Sequence, residues 1–197
     1  MVNRLARYAQ IAGILSKYGF GIFLEELYPE AKRPDFLKDP EVETQDVYRR
    51  IRLAIEELGP TFIKLGQILS SRRDLLPVPL IEELLFLTDN VKPVDYEKVK
   101  TVIEETCGNI GEFCIFVDPE PFAAASLSQV HRATLTDGSD VVFKVQRPGI
   151  RELIEVDLTI LANLAQRAEE SLSYLRPYNP VGVIEEFSQQ MRKELSA

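Results

Sequence analysis

The chain has no tryptophan, one histidine and two cysteines, and each shortage closes off a class of chemistry. With His131 the sole imidazole, a histidine-rich metal site is excluded, and a His-based triad would rest on that one residue. The plainer reading makes His131 a strand residue hydrogen-bonded locally. Cys107 and Cys114 stand seven apart with no others. That is neither a disulfide framework nor a zinc spacing, and it suits a reducing cytoplasm. Basic residues are also in deficit, with 23 Lys and Arg against 31 Asp and Glu and a formal net charge of -8. Phosphate-backbone binding needs a basic face, so nucleic acid is not expected as a main partner. No apolar run approaches the roughly 20 residues of a membrane span, and no signal-peptide pattern opens the chain.

What remains is an ordinary globular composition, 45% hydrophobic and 27% charged over 197 residues, enough for one good core or one domain with a helical appendage. Residues 3 to 27 read as an amphipathic helix, with Leu5, Ile11, Ile14, Leu15 and Phe23 against Arg4, Arg7 and Lys17. Two readings stand for it: a helix packed on the domain, or a helix on an anionic membrane surface. Residues 28 to 39 look like a linker. Asp39-Pro40 opens a helix through about Leu58, ended by Gly59-Pro60. Further helices are expected over about 79–88, from an Asp95 cap to about Glu105, over about 150–173, and from about Val181 onward.

One helix is unusual. Pro60 to Ser70 places Lys64, Gly66 and Gln67 in a stretch that otherwise reads as buried. Lys64 and Gln67 are three apart and share a face, with Ile63, Ile68 and Leu69 on neighbouring faces. A buried ammonium without a partner costs several kcal/mol, roughly, so Lys64 needs a counter-charge.

From Phe113 to Gln146 the pattern changes to strands, at Cys114–Val117, Gln129–Leu135 and Val141–Gln146. Thr136-Asp137-Gly138-Ser139 reads as the hairpin between the last two. Ahead of them lies the small-residue block Ala123-Ala124-Ala125-Ser126, and Lys144 follows it by eighteen residues in a strand. The block reads either as a tightly packed turn or as a loop whose backbone approaches a ligand closely, stiffer than a glycine loop. A lysine in a strand is often an edge residue that blunts aggregation. Loop, strand, hairpin and strand-borne lysine is also the order in which protein kinases place their phosphate loop and nucleotide-binding lysine. That order favours a nucleotide.

Three stretches carry a family resemblance: Lys64-Leu65-Gly66-Gln67; Ala123 to Ser126 with Gln129-Val130-His131; and Lys144-Val145-Gln146-Arg147-Pro148-Gly149-Ile150. They resemble the ABC1/UbiB atypical kinase-like family, linked to ubiquinone and other prenyl-lipid biology. The likeness runs from about Val42 onward and includes Glu57-Leu58-Gly59-Pro60-Thr61 and Asp74-Leu75-Leu76-Pro77. It implies an α+β fold: a protein-kinase-like N-lobe with a small antiparallel sheet, preceded by a helical extension. The expected divisions are 1–39, 40–112 and 113–197. By the same resemblance, Lys64 and Gln67 belong to the family's KxGQ motif, which folds over the nucleotide pocket. Ala123, Ala124, Ala125 and Ser126 form its alanine-rich loop, and Lys144 is its nucleotide lysine. Glu194 begins its ExD motif and is the expected partner of Lys64.

Two departures stand out: Ser196 occupies the position where the motif has Asp, and Ala197 is the last residue, so the motif is either altered or interrupted. Glu155-Val156-Asp157 also spells E-x-D, but it lies in the long helix and is set aside as a coincidence. The resemblance implies ATP or ADP with Mg²⁺, the metal ligands and catalytic base coming from a C-lobe that this chain lacks; no metal ligand or catalytic residue is expected within it. The expected function is the ATP-binding part of an atypical kinase or ATPase, active on a small molecule or lipid-pathway component in the cytoplasm or at a membrane periphery. The alternative is a non-catalytic, membrane-associated kinase-like scaffold.

Overall fold

A computed structural model describes residues 3–22, 46–88 and 92–196. The expected linker at 28–39 and residues 23–27 of the expected first helix lie outside the described residues; the helix expected over 3–27 ends at Lys17, before Gly19 at φ 85°. The chain divides into two compact units, Met1–Thr88 with Glu152–Ala197, and Asp89–Arg151.

The first unit is helical. Helix α1 (Arg4–Lys17) is capped by the Asn3 side chain, which accepts from the backbone N–H groups of Leu5 and Ala6. Helix α2 (Val47–Leu58) begins later than Asp39-Pro40 suggested. Asp46 has extended dihedrals and its side chain accepts from Tyr48 N–H, which fixes the start at Val47. Gly59, at φ 97°, turns the chain, and α3 (Pro60–Leu69) starts at once with proline in its first turn. Helix α4 (Val78–Leu84) is shorter than expected. The long α7 (Ile150–Ser171), a 3₁₀ turn at Ser173–Tyr178 and α8 (Pro180–Glu194) complete the unit. Ile154, Ile160 and Met191 are fully buried.

The apolar face of α1 points inward, with Ile11, Ile14 and Tyr18 buried, so the helix is packed on its own unit. Arg7, read from sequence as part of the polar face, is also buried, at 6% exposure. Its positions relative to Ile11, Ile14 and Tyr18 are i+4, i+7 and i+11, so it belongs to the inner stripe. Among the described residues no helix is long and apolar enough to cross a membrane.

The second unit is a four-stranded antiparallel sheet backed by helices α5 (Tyr96–Cys107) and α6 (Ile110–Phe113). Strand β3 (Ser128–Leu135) is central. One edge pairs with β4 (Asp140–Gln146); the other is shared by β1 (Cys114–Val117) and the two-residue β2 (Ala123–Ala124). The β3–β4 turn uses Gly138 at φ 85°. Val99 and Ile103 of α5 pack with Val145, and Cys114, Val117 and Ala133 form an adjoining cluster. The whole is a helix-rich α+β chain with a small antiparallel sheet, as expected of a kinase-like N-lobe with added helices.

His131 is fully buried on the helix-facing side of β3. Its Nδ1 lies 2.8 Å from the Asp118 carbonyl and its Nε2 lies 2.8 Å from Gln129 Nε2. A carbonyl only accepts, so Nδ1 carries the proton and Nε2 accepts from the amide. Gln129 also exchanges hydrogen bonds with Val94, donating to its oxygen at 3.2 Å and accepting from its N–H at 2.8 Å. All polar atoms of this buried pair are thus used, which is a structural role for the one histidine. Gln129→Leu strands Val94 N–H and His131 Nε2 and should cost about 3 kcal/mol in urea unfolding. A loss below about 1 kcal/mol would mean the network carries little stability.

Candidate functional site

In the sheet unit, side chains alternate across β3 and β4. Gln129, His131 and Ala133 face the helices, so Val130 and Arg132 face the other way. In register with them are Lys144, opposite Val130, and Val142, opposite Arg132. Paired residues of an antiparallel ladder share a face, so two cations and two valines line one open surface. Lys144 is exposed and, among the described residues, makes no ion pair. Arg132 stacks on the ring of Phe122 at 4.4 Å from its centroid, and Phe122 is itself 65% exposed. The sequence reading named only Lys144 here. Its two-residue spacing from Val142 was the available signal for the rest.

The alanine block is an ordered hairpin. Ala123 and Ala124 pair with Val130 and Gln129, and Ala125 N–H donates to Ser128 O at 2.8 Å. Ser126 and Leu127 are buried. Among the described residues the one non-glycine with positive φ is Asn179, so the alanines occupy none of the conformations reserved for glycine. The Ala125 N–H points into the hairpin and is not offered to a ligand.

Arg147, which the sequence reading quoted without a role, holds this hairpin. Its Nε donates to Ala125 O at 3.0 Å, its backbone N–H to Leu127 O at 2.9 Å, and its Nη2 to Lys92 O at 2.8 Å. Burial pulls the guanidinium pKa below its ordinary value. Lys144, in β4, and Arg147, just past its end, sit three apart, one open on the sheet face, the other clamping the adjacent loop.

In the helical unit, Lys64 Nζ lies 3.1 Å from Glu194 Oε1. Lys64 is 22% exposed and Glu194 36%, so the lysine is half-buried rather than buried as its neighbours implied. Gln67 Nε2 donates to Leu87 O at 3.3 Å. Gly66 between them has a steric reason: a Cβ there would meet Leu87 Cδ1 at 2.4 Å, with Leu84 and Ile55 close behind. Helix α3 packs closely enough on that cluster to require a residue that costs about 1 kcal/mol of helix propensity. Ser196, at the position of the motif's Asp, donates to Arg192 O at 2.8 Å.

The second E-x-D is not idle. Asp157 is fully buried, with Arg7 Nε 2.7 Å from Oδ1 and Arg7 Nη2 2.9 Å from Oδ2. Thr61 Oγ1 donates to the same Oδ2 at 2.7 Å, and Arg7 Nη2 donates to Leu58 O at 2.7 Å. Glu155 holds Arg192 of α8 through two contacts at 3.0 and 2.9 Å. Sequence pattern pointed to neither arrangement. Arg7 and Asp157 are 150 residues apart.

Among the described residues no group of three or more His, Cys, Asp or Glu side chains could hold a metal.

The ABC1 atypical kinase-like domain matches residues 86–196, more than half the chain. A probable protein kinase UbiB of Pseudomonas putida (strain GB-1) is 44% identical over 147 residues, 74% of this chain and 27% of its own length. A probable protein kinase UbiB of Marinobacter nauticus is 38% identical over 207 residues, 98% of this chain and 37% of its own length. An uncharacterised protein in the hydrogenase 1 5′ region of Clostridium pasteurianum is 41% identical over 163 residues, 82% of this chain and 28% of its own length. The chain thus spans between about a quarter and just over a third of these relatives. On the extent of the domain match and the identity to these relatives, the chain belongs to the ABC1 atypical kinase-like family.

Proposed function

We propose that this chain is the ATP-binding part of an atypical kinase-like protein that hydrolyses ATP or phosphorylates a small molecule in ubiquinone or other prenyl-lipid metabolism. The observation that carries the reading is Lys144, an ammonium with no described ion-pair partner, on an open sheet face between two valines and beside Arg132. An anionic ligand with a flat apolar portion suits that surface: phosphates at Lys144, a base over Val130 and Val142. The place of the lysine on an outer strand also suits protection against edge pairing. The company it keeps favours the nucleotide. In a chain of net charge -8, two cations gathered on one apolar face beside a clamped hairpin are better explained by an anion than by solubility.

ATP or ADP would bring Mg²⁺, whose chemistry is to neutralise the phosphates and any charge developing on them. Within this chain, Lys144 binds and orients phosphate, Ala123 to Ser126 cover it, and Arg147 keeps the cover in shape. Lys64 and Gln67 act as a gate. The ion pair of Lys64 with Glu194 is part-exposed and is worth about 0.2–1 kcal/mol, weak enough to open thermally. The rival reading, a membrane-associated scaffold, draws on α1. A bilayer would have to displace Ile11, Ile14 and Tyr18 from their present packing.

Three measurements on the complete protein test these roles. Lys144→Ala should weaken ATP affinity about tenfold or more by calorimetric titration, the loss of one charge-assisted contact of about 1.5–3 kcal/mol. Unchanged affinity removes Lys144 from the site. Ala123→Gly loosens the hairpin and should shift the preference between ATP and ADP or the level of autophosphorylation; parent-level values for both would show that stiffness controls neither. Lys64→Met should speed nucleotide association up to about fivefold in stopped-flow mixing, the equivalent of a pair worth up to about 1 kcal/mol. An unaltered rate would sink the gate.

A further inference from the structure

Two side chains of α7, two residues apart in sequence, hold the two helices that carry the Lys64–Glu194 pair. Asp157 fixes α3 through Thr61, which lies three residues before Lys64. Glu155 fixes α8 through Arg192, which lies two residues before Glu194. Lys64 and Glu194 meet at 3.1 Å only if both helices keep their register on α7. We propose that Glu155 and Asp157 are positioning residues, a template on α7 that sets the register of the Lys64 gate.

Asp157 is well placed for this task. Its carboxylate sits at the first turn of α3, where the unpaired N–H groups of a helix favour negative charge. Its counter-ion Arg7 also donates to Leu58 O, in the last turn of α2, where carbonyls lack helical partners. The same guanidinium lies over Phe62, 5.9 Å from the ring centroid. One buried ion pair therefore grips both sides of the Gly59 corner from which Lys64 projects. Helix α1 holds that corner a second time: Lys17 Nζ and Tyr18 Oη reach Glu57 Oε2 at 2.7 and 2.8 Å. The lysine hydrogen bond is the main cause that draws the Glu57 carboxyl below its ordinary pKa.

The family resemblance does not supply this assignment. Glu155-Val156-Asp157 is outside the KxGQ and ExD motifs, and its role comes from five contacts within one compact unit. The consequence for nucleotide access rests on the gating reading given above; the register itself does not.

The test reads the exposure of the Lys64 amine directly. Asp157→Asn would leave Arg7 buried without its counter-charge and is prone to unfold, so Thr61 is the better probe. Thr61→Val removes only the hydroxyl donor, and Thr61→Ser keeps it. In the full-length protein, amine-reactive ester labelling is quantified by mass spectrometry as the ratio of Lys64 to Lys17, a lysine of the same compact unit. Thr61→Val and Glu155→Gln should each raise that ratio about fivefold, a register weakened on the order of 1 kcal/mol, while Thr61→Ser stays at the parent level. A purely structural role would lower the melting temperature without moving the ratio. The proposal is overturned if either Thr61→Val or Glu155→Gln keeps the parent ratio, or if Thr61→Ser rises with Thr61→Val. A raised ratio with unchanged nucleotide association rates would uphold the template and remove the gate, so the two ideas fail separately.

Discussion

The Asp157 carboxylate is the constraint around which the helical unit is arranged. A fully buried charge is tolerated only with a full set of partners, and these are drawn from three separate places in the chain: Arg7 of α1, Thr61 of α3, and Leu58 of α2 through Arg7. Removing any one leaves a buried polar group short of a partner. The cost of such a gap exceeds the net worth of the hydrogen bond that was lost. That asymmetry is what makes the arrangement specific. A hydrophobic replacement could fill the volume, but it would not dictate which turn of α3 faces α7.

The sheet unit solves a comparable problem with neutral groups. His131 and Gln129 are buried beneath the sheet with their hydrogen-bonding capacity absorbed by Asp118 and Val94. The opposite face is thereby left to Val130, Arg132, Val142 and Lys144. Strand alternation ties the two faces together: the register that buries His131 is the one that presents Lys144. A one-residue slip would put the lysine in the core and the histidine in solvent. Gln129 and His131 thus help to present the Lys144 face from the opposite side of the sheet.

Local patterns made much of this legible in the sequence. The β1 bounds, the β3–β4 turn at Gly138, the Asp95 cap and the Pro60 start of α3 all follow from turn chemistry and capping. The strand at Ala123–Ala124 escaped because alanine has little preference for strands; pairing with β3 overrides that. The start of α2 was misplaced because Asp39-Pro40, which lies outside the described residues, reads as a helix opening, whereas Asp46 accepts from Tyr48 N–H and caps the helix at Val47. The partner of Lys64 was reachable through family resemblance alone. Nothing in spacing connects residue 64 to residue 194. Arg7 shows how periodicity can be right and its interpretation wrong. It lies on the inner stripe with Ile11, Ile14 and Tyr18, and a charged residue there was read as polar face, because charge alone does not reveal a buried partner 150 residues away.

The two arms of the α7 template differ in strength, and that difference has a mechanical consequence. Asp157 and Arg7 are shielded from water at 0% and 6% exposure, so breaking their contact leaves an uncompensated buried charge. Glu155 and Arg192 are about half exposed, where an ion pair is worth about 0–1 kcal/mol and weakens with salt. The α3 side is therefore held stiffly and the α8 side softly. Opening of the Lys64–Glu194 pair falls to Glu194 and its helix end, with Lys64 the fixed member. Salt should act on the same joint, since it screens Glu155–Arg192 far more than it screens Asp157–Arg7. The gate proposed above would then move at its exposed hinge and leave α3 in register, because the buried carboxylate holds one end of the pair in place while the solvent-exposed one lets the other go.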